Sequence, residues 1–377
     1  MLKRVRIQSF KSLVDVSVEL DPVTVLVGRS GSGKTNFVEA IRLLRNYLTL
    51  RNDSFIYSAP GGWEHVLSAL GRPDSALSYD VEFSVKGRPQ QYRYRLRFHT
   101  SGAGGTPYVD EEALWLGGQK LFHAQEQKWA TEPPVVGIGP EGLVLGRLMG
   151  IQEVSIAHVF LTQGIGCYDF PGDVFKTAPQ SEPQVTGLRD HGENHVDAVS
   201  AILRNLSSLE SWNEVIAGLQ RLNPAVKNVD LIALQKPAKI MVSQQVKDKV
   251  LVLELAQQSE GLRRFLAYFI ALYQSPPKQT LIFEEPEKGI HPGALAVLAD
   301  QFKAYASSGR GQVILTTHSP QLLDYFAPEN IRVVEIDNYQ TRIGPLAPEQ
   351  LESLKEKLLR PGELLTVDYA RAEPARA

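Results

Sequence analysis

Eight consecutive residues, Gly28-Arg29-Ser30-Gly31-Ser32-Gly33-Lys34-Thr35, constrain this chain more than any other stretch. Before them, Val23-Thr24-Val25-Leu26-Val27 is a β-branched apolar run that reads as a buried strand. After them, Asn36-Phe37-Val38-Glu39-Ala40-Ile41-Arg42-Leu43-Leu44 places apolar residues at helical spacing. A strand that turns through glycines into a helix gathers successive backbone N–H groups at the positive end of that helix, where an anionic phosphate binds. Lys34 is expected to reach the β- and γ-phosphates, and the Thr35 hydroxyl to take one Mg²⁺ position. The loop from Gly28 to Asn36 therefore predicts binding of a nucleoside triphosphate.

The second half of the sequence supplies acidic groups that such a loop lacks. Thr280-Leu281-Ile282-Phe283-Glu284-Glu285-Pro286-Glu287 reads as an apolar strand ending in carboxylates. Ligands of open α/β sheets bind at the carboxyl ends of the strands, so these acids are expected at a binding edge. Glu284 is expected to hold Mg²⁺ directly or through water, and Glu285 to orient or deprotonate the attacking water. Gln312-Val313-Ile314-Leu315-Thr316-Thr317-His318-Ser319-Pro320 repeats the design. It is a second buried strand, ending in a His that can contact the γ-phosphate or the attacking water. Upstream, Gln257-Gln258-Ser259-Glu260-Gly261-Leu262-Arg263-Arg264 opens an apolar helix that Ser259 can cap.

Taken in order, these motifs resemble the ABC-type ATPases of the RecF/SMC/OLD group. The shared parts are the phosphate loop, the Ser259-Glu260-Gly261 signature, the Glu284-Glu285-Pro286-Glu287 strand with Gly289-Ile290-His291-Pro292 after it, and Thr316-Thr317-His318-Ser319-Pro320. More narrowly, the chain resembles the stand-alone bacterial AAA-family ATPases. Val5 to Leu13 is similar to that group's opening strand and turn. Weaker similarities lie at Gly61-Gly62-Trp63, Tyr168-Asp169-Phe170 and Leu188 to Asn194. The resemblance implies a P-loop NTPase of the ABC/SMC-head type, α/β in class. Its mixed central sheet with flanking helices would carry an antiparallel β insert and a helical subdomain. It also implies that two copies sandwich two ATP molecules, with Ser259, Glu260 and Gly261 acting in trans on the nucleotide of the other copy. Three positions depart from the group's pattern. The signature begins with Gln258, Glu284 stands where an Asp is usual, and Ser30 replaces a common Asn. No required chemical group is lost, and slow turnover fits these changes.

The 377 residues are 43% hydrophobic and 22% charged, a composition that suits one large or two modest soluble domains. An unbroken apolar run of membrane-spanning length is absent from the sequence, and its first residues lack a signal-peptide core. One cysteine, Cys167, excludes a disulfide framework, fits a reducing cytoplasm and reads as a small buried residue. Net charge is −2, without a basic arm to draw nucleic acid from a distance. One local candidate exists, where Arg88, Arg93, Arg95 and Arg97 alternate with Tyr92, Tyr94, Leu96 and Phe98. This is either a phosphate-backbone contact or the polar face of a half-buried strand, and the second reading is favoured.

Five regions are expected. Residues 1–60 and 228–345 form the two parts of an ATPase head, 61–175 an antiparallel β insert and 176–227 a helical subdomain. Residues 346–377 are read as a charged helix and an unstructured tail. Ser101–Pro107 reads as a hairpin loop and Pro171–Pro183 as a Pro-rich connection. Interruption by Pro and Gly excludes the long coiled-coil arms of SMC proteins. Too little sequence follows His318 for the second catalytic domain of an OLD nuclease, so any nuclease or other effector is expected as a separate chain. The favoured function is an ATPase that dimerises around ATP and drives such an effector, in anti-phage defence or DNA repair by analogy. An ATP-locked sensor with incidental hydrolysis and a transport-type ATPase are the alternatives. DNA is a possible partner that the charge does not favour, and no membrane partner is expected.

Overall fold

The computed structural model describes residues 1–50, 63–68, 70, 76–100, 107–125, 128–131, 143–176, 187–205, 209–232 and 238–373. Gly61-Gly62, 101–106 of the expected hairpin loop, 177–183 of the Pro-rich connection and residues 374–377 lie outside these. The chain divides into two compact units, 1–165 with 327–377, and 166–326.

In the first unit, β1 (Leu2–Phe10) and β2 (Leu13–Glu19) are followed by β3 (Val23–Val27), whose five residues are all buried. Helix α1 (Lys34–Leu50) starts within the glycine-rich loop. Strands β4 (Leu77–Ser84), β5 (Gln91–Thr100), β6 (Pro107–Leu116), β7 (Gln119–Gln125) and β8 (Lys128–Thr131) follow. They share one sheet with the first two strands, in the order β2-β1-β4-β5-β6-β7-β8, every neighbouring pair antiparallel. The insert strands thus extend a sheet that the N-terminal strands begin. Period-two patterning explains the faces. Tyr92, Tyr94, Leu96 and Phe98 are buried, and Phe83 stacks on Phe160 of helix α2 (Gln152–Gln163) with ring centroids 4.5 Å apart. On the other face Arg93 and Arg95 pair with Asp80 and Arg97 with Asp110 and Glu111, while Arg88, which precedes the strand, pairs with Glu153 of α2. The basic stripe of β5 is therefore answered by carboxylates of the same unit.

Glu112 of β6 is buried and accepts from the Val144 and Leu145 N–H groups at 2.5 and 3.0 Å and from the Tyr94 hydroxyl at 2.9 Å. It ties the segment preceding α2 to the sheet, and burial pushes its carboxyl up to about 7.

Late in the chain, β15 (Ile331–Asp337) runs parallel to β3, and β16 (Gln340–Pro345) pairs antiparallel with β15. A helix over Pro348–Lys355 follows. The stretch 367–373, read from sequence as part of an unstructured tail, is docked. Arg371 N–H donates to Gln350 Oε1 at 2.8 Å, and Ala372 bridges Leu346. Its apolar residues follow neither a strand nor a helix period, and hydrogen bonds hold it, which is why sequence patterning did not reveal it.

In the second unit, β13 (Thr280–Glu284) and β14 (Gln312–Thr317) are parallel and buried, and β9 (Ile165–Tyr168) lies beside β13. Cys167 of β9 is buried. Strands β10 (Val226–Ile232), β11 (Lys239–Val246) and β12 (Lys249–Glu254) form an antiparallel meander. Helices lie at His195–Arg204, Leu209–Leu222, Glu260–Tyr273 and Leu295–Ser307. Among the described residues no helix is long and apolar enough to cross a membrane.

Candidate functional site

The phosphate loop leaves β3 at Gly28, where an added Cβ would lie 2.0 Å from the Val334 carbonyl oxygen of β15. Only glycine lets the loop pass so close to that strand. Gly31 and Gly33 take positive φ, +74° and +105°. Arg29, Ser30, Gly31 and Thr35 are exposed, whereas Ser32, Gly33 and Lys34 are buried. Lys34 Nζ donates to the Gly28 and Arg29 carbonyls at 2.8 and 3.0 Å, so the ammonium is held inside the loop's curl.

Two residues to which the sequence assigns no role brace the loop. Thr341 donates to the Ser32 carbonyl at 2.8 Å, and its hydroxyl lies 2.6 Å from the Ser12 hydroxyl. Asn36 donates its amide to Ser12 at 2.8 Å, so its part in the site is bracing. Ser12 and Thr341 are 329 positions apart, a pairing that a local sequence pattern does not signal.

In the second unit β13 and β14 deliver Glu284, Glu285 and His318 to one edge. Glu285 has a left-handed backbone, φ +43°, a strained setting for a non-glycine residue. Its N–H is fixed by the Thr316 carbonyl and hydroxyl, at 3.1 and 3.2 Å. The carboxylate then lies 3.8 Å from His318 Nε2 and 2.9 Å from Lys288 Nζ. That hydrogen bond raises the Lys288 ammonium's affinity for its proton, with attraction from Asp169 and Glu284 adding to it. Glu287, the third acid of the strand end, accepts from the Thr317 hydroxyl and the His318 N–H, both at 2.8 Å. It sets the turn that carries His318, and burial pushes its carboxyl upward. Sequence reading gave Glu287 and Lys288 no role. Their signal is the acid two residues after Glu285 and the base one helical turn on.

The Ser259 hydroxyl accepts from Leu262 N–H at 3.4 Å and caps the helix as its position predicts. Glu260 pairs with Arg264 at 2.9 Å. Arg263 is buried and donates to the carbonyls of Gln258, Gly172 and Val174 at 2.6, 2.8 and 2.9 Å. The signature is thereby clamped to the segment after β9. The two weaker motifs of this unit meet in the same place. Tyr168 hydroxyl accepts from Gln274, whose Oε1 accepts from Leu188 N–H at 2.8 Å, while Asn194 closes the turn onto Arg189 and Gly187.

A family model described as "AAA domain, putative AbiEii toxin, Type IV TA system" matches residues 188–324, and one described as "AAA ATPase domain" matches 1–75. The OLD nuclease of Thermus scotoductus is 23% identical over 358 residues, which is 89% of this chain and 62% of the relative. The Old nuclease of Escherichia phage P2 is 24% identical over 396 residues, 94% of this chain and 62% of the relative. An SMC head solved bound to the C-winged helix domain of ScpA has the same fold, with a TM-score of 0.58 at 17% identity over 93% of this chain and 99% of that one. The chain is similar to the ABC-type ATPases of the RecF/SMC/OLD group. It spans about three-fifths of the length of the two OLD relatives. Its fold is that of the P-loop NTPase heads of this group, with the signature residues on a helix start and the acidic strand end beside the His turn.

For a group of this kind Mg²⁺ is the implied metal, and the donors fit it. Thr35 offers an exposed hydroxyl and Glu284 a half-buried carboxylate, both hard oxygen ligands. Phosphate oxygens and water commonly complete such a shell.

Proposed function

We propose that this chain binds and hydrolyses ATP with Mg²⁺. The observation that carries hydrolysis, beyond binding, is the setting of Glu285. A strained backbone fixed by two bonds to Thr316 holds a carboxylate next to the His318 ring. Such strain persists where a side chain must be aimed. Glu285 orients and deprotonates the attacking water, and His318 steadies that water or the γ-phosphate. Lys34 exchanges the Gly28 and Arg29 carbonyls for phosphate oxygens, a charge-assisted gain. Thr35 and Glu284 would hold Mg²⁺, which would supply neutralisation of charge on the phosphates.

Two copies are proposed to close around ATP, with Ser259, Glu260 and Gly261 of one facing the nucleotide of the other. Likeness to the RecF/SMC/OLD group supports this, as does the capped helix start at which Gly261 adds an N–H. The cycle is proposed to drive an effector in anti-phage defence or DNA repair. The two OLD relatives are named nucleases, which supports a nuclease as the class of effector. Carboxylate pairing of the β5 arginines supports a reading in which that strand does not contact DNA.

Lys34→Ala should abolish ATP binding, read by calorimetry. Glu285→Gln should bind ATP normally and hydrolyse it ~100-fold more slowly. Hydrolysis at the wild-type rate in Glu285→Gln would remove Glu285 from the mechanism and leave His318 as the candidate.

A further inference from the structure

The segment 367–373 is built against the phosphate-loop unit, not laid over it loosely. Gln350 is buried, and its amide donates to the Asp368 carbonyl and carboxylate and to the Tyr369 carbonyl, at 3.3, 2.9 and 3.0 Å. Its oxygen accepts from Arg371 N–H at 2.8 Å. Further bonds run from Ala347 N–H to the Arg371 carbonyl, from Ala372 N–H to Glu335 and from Glu373 N–H to the Pro345 carbonyl, at 2.8, 3.2 and 2.9 Å. A buried amide spent wholly on one segment fixes the residues it holds. What the segment presents is Tyr369, with its ring 4.6 Å from the guanidinium carbon of Arg29. Arg29 is the second residue of the phosphate loop, and its side chain is exposed.

We propose that Arg29 is a further phosphate-contacting cation of this loop and that Tyr369 is its positioning residue. A guanidinium lying over an aromatic face keeps its N–H donors in the plane, pointing outward. Those donors form a fork that matches the oxygens of a phosphate, whereas an ammonium would offer a single point charge. The stacked Arg29 therefore brings a second, oriented cation to a loop whose backbone N–H groups and Lys34 already gather around an anion. The ligand chemistry is the polyphosphate of the nucleotide, not its base. This inference rests on the reading of the loop as a triphosphate site.

Isothermal titration of the full chain with ATP and, separately, with inorganic tripolyphosphate tests it. Arg29→Ala and Tyr369→Ala should each weaken both ligands by about three- to tenfold. The double variant should be no weaker than Arg29→Ala alone, and Tyr369→Phe should keep wild-type affinity. Tyr369 is 51% exposed, so its truncation should leave the melting temperature close to that of the wild type. Unchanged affinity in Tyr369→Ala overturns the proposal. So does weaker ATP binding with unchanged tripolyphosphate binding, which would assign the ring to the base. If the wild type binds neither ligand, the triphosphate reading of the loop itself fails.

Discussion

Lys288 is the side chain that most changes how the acidic edge works. A general base needs a free lone pair, and an ammonium 2.9 Å from Glu285 occupies one. Lys288→Ala should therefore raise steady-state ATP hydrolysis about two- to fivefold, the range that an exposed ion pair covers. Phosphate release at saturating ATP measures it, and a fall in rate would mean that the ammonium supports Glu285 instead of restraining it. Residues of the loop and of the Glu-Glu strand were legible because their chemistry is local: glycines, a lysine and acids at fixed offsets. Ser12 and Thr341 were not, since their hydroxyls meet only after strands from the two ends of the chain come together. Arg263 was equally silent, because a buried guanidinium serving three carbonyls looks in sequence like any helical surface charge.

At the scale of elements, the tie between β6 and the segment before α2 carries a titratable group. Folding raises the Glu112 carboxyl from its ordinary 4.5 to about 7, so the folded state holds this proton more tightly than the unfolded chain. The contribution is present at low pH and is lost as pH rises between those two values. Denaturant unfolding from pH 4.5 to pH 7 should show a downward contribution of up to about 1.4 kcal/mol per pH unit in the wild type. Glu112→Gln should lack it, and identical pH slopes in the two proteins would contradict the assignment. Period-two and helical patterning made most strands and helices readable, as in β5, where aromatics and arginines alternate. Sheet membership was less readable. Nothing local says that β4 pairs with β1, because pairing of strands distant in sequence is set by tertiary packing. The docking of 367–373 was missed for a related reason: hydrogen bonds to Gln350 hold it, not an apolar stripe.

For the whole molecule, the likeness to the RecF/SMC/OLD group and the fold were readable from the order of motifs along the chain. How copies assemble does not follow from that order, because an interface is a property of surfaces. Each ATP is proposed to lie between Lys34 of one copy and Ser259 of another, a two-fold arrangement in which every interface residue acts twice. Lys34→Ala and Ser259→Arg chains should each be inactive alone. Mixed in equal amounts, they should regain about a quarter of wild-type ATP hydrolysis, since half of the dimers are mixed and each has one intact site. Hydrolysis by the mixture is the measurement to make, with mixed dimers verified by differently tagged chains. Recovery near that level is the predicted result; mixed dimers that form and hydrolyse no ATP would contradict the shared site.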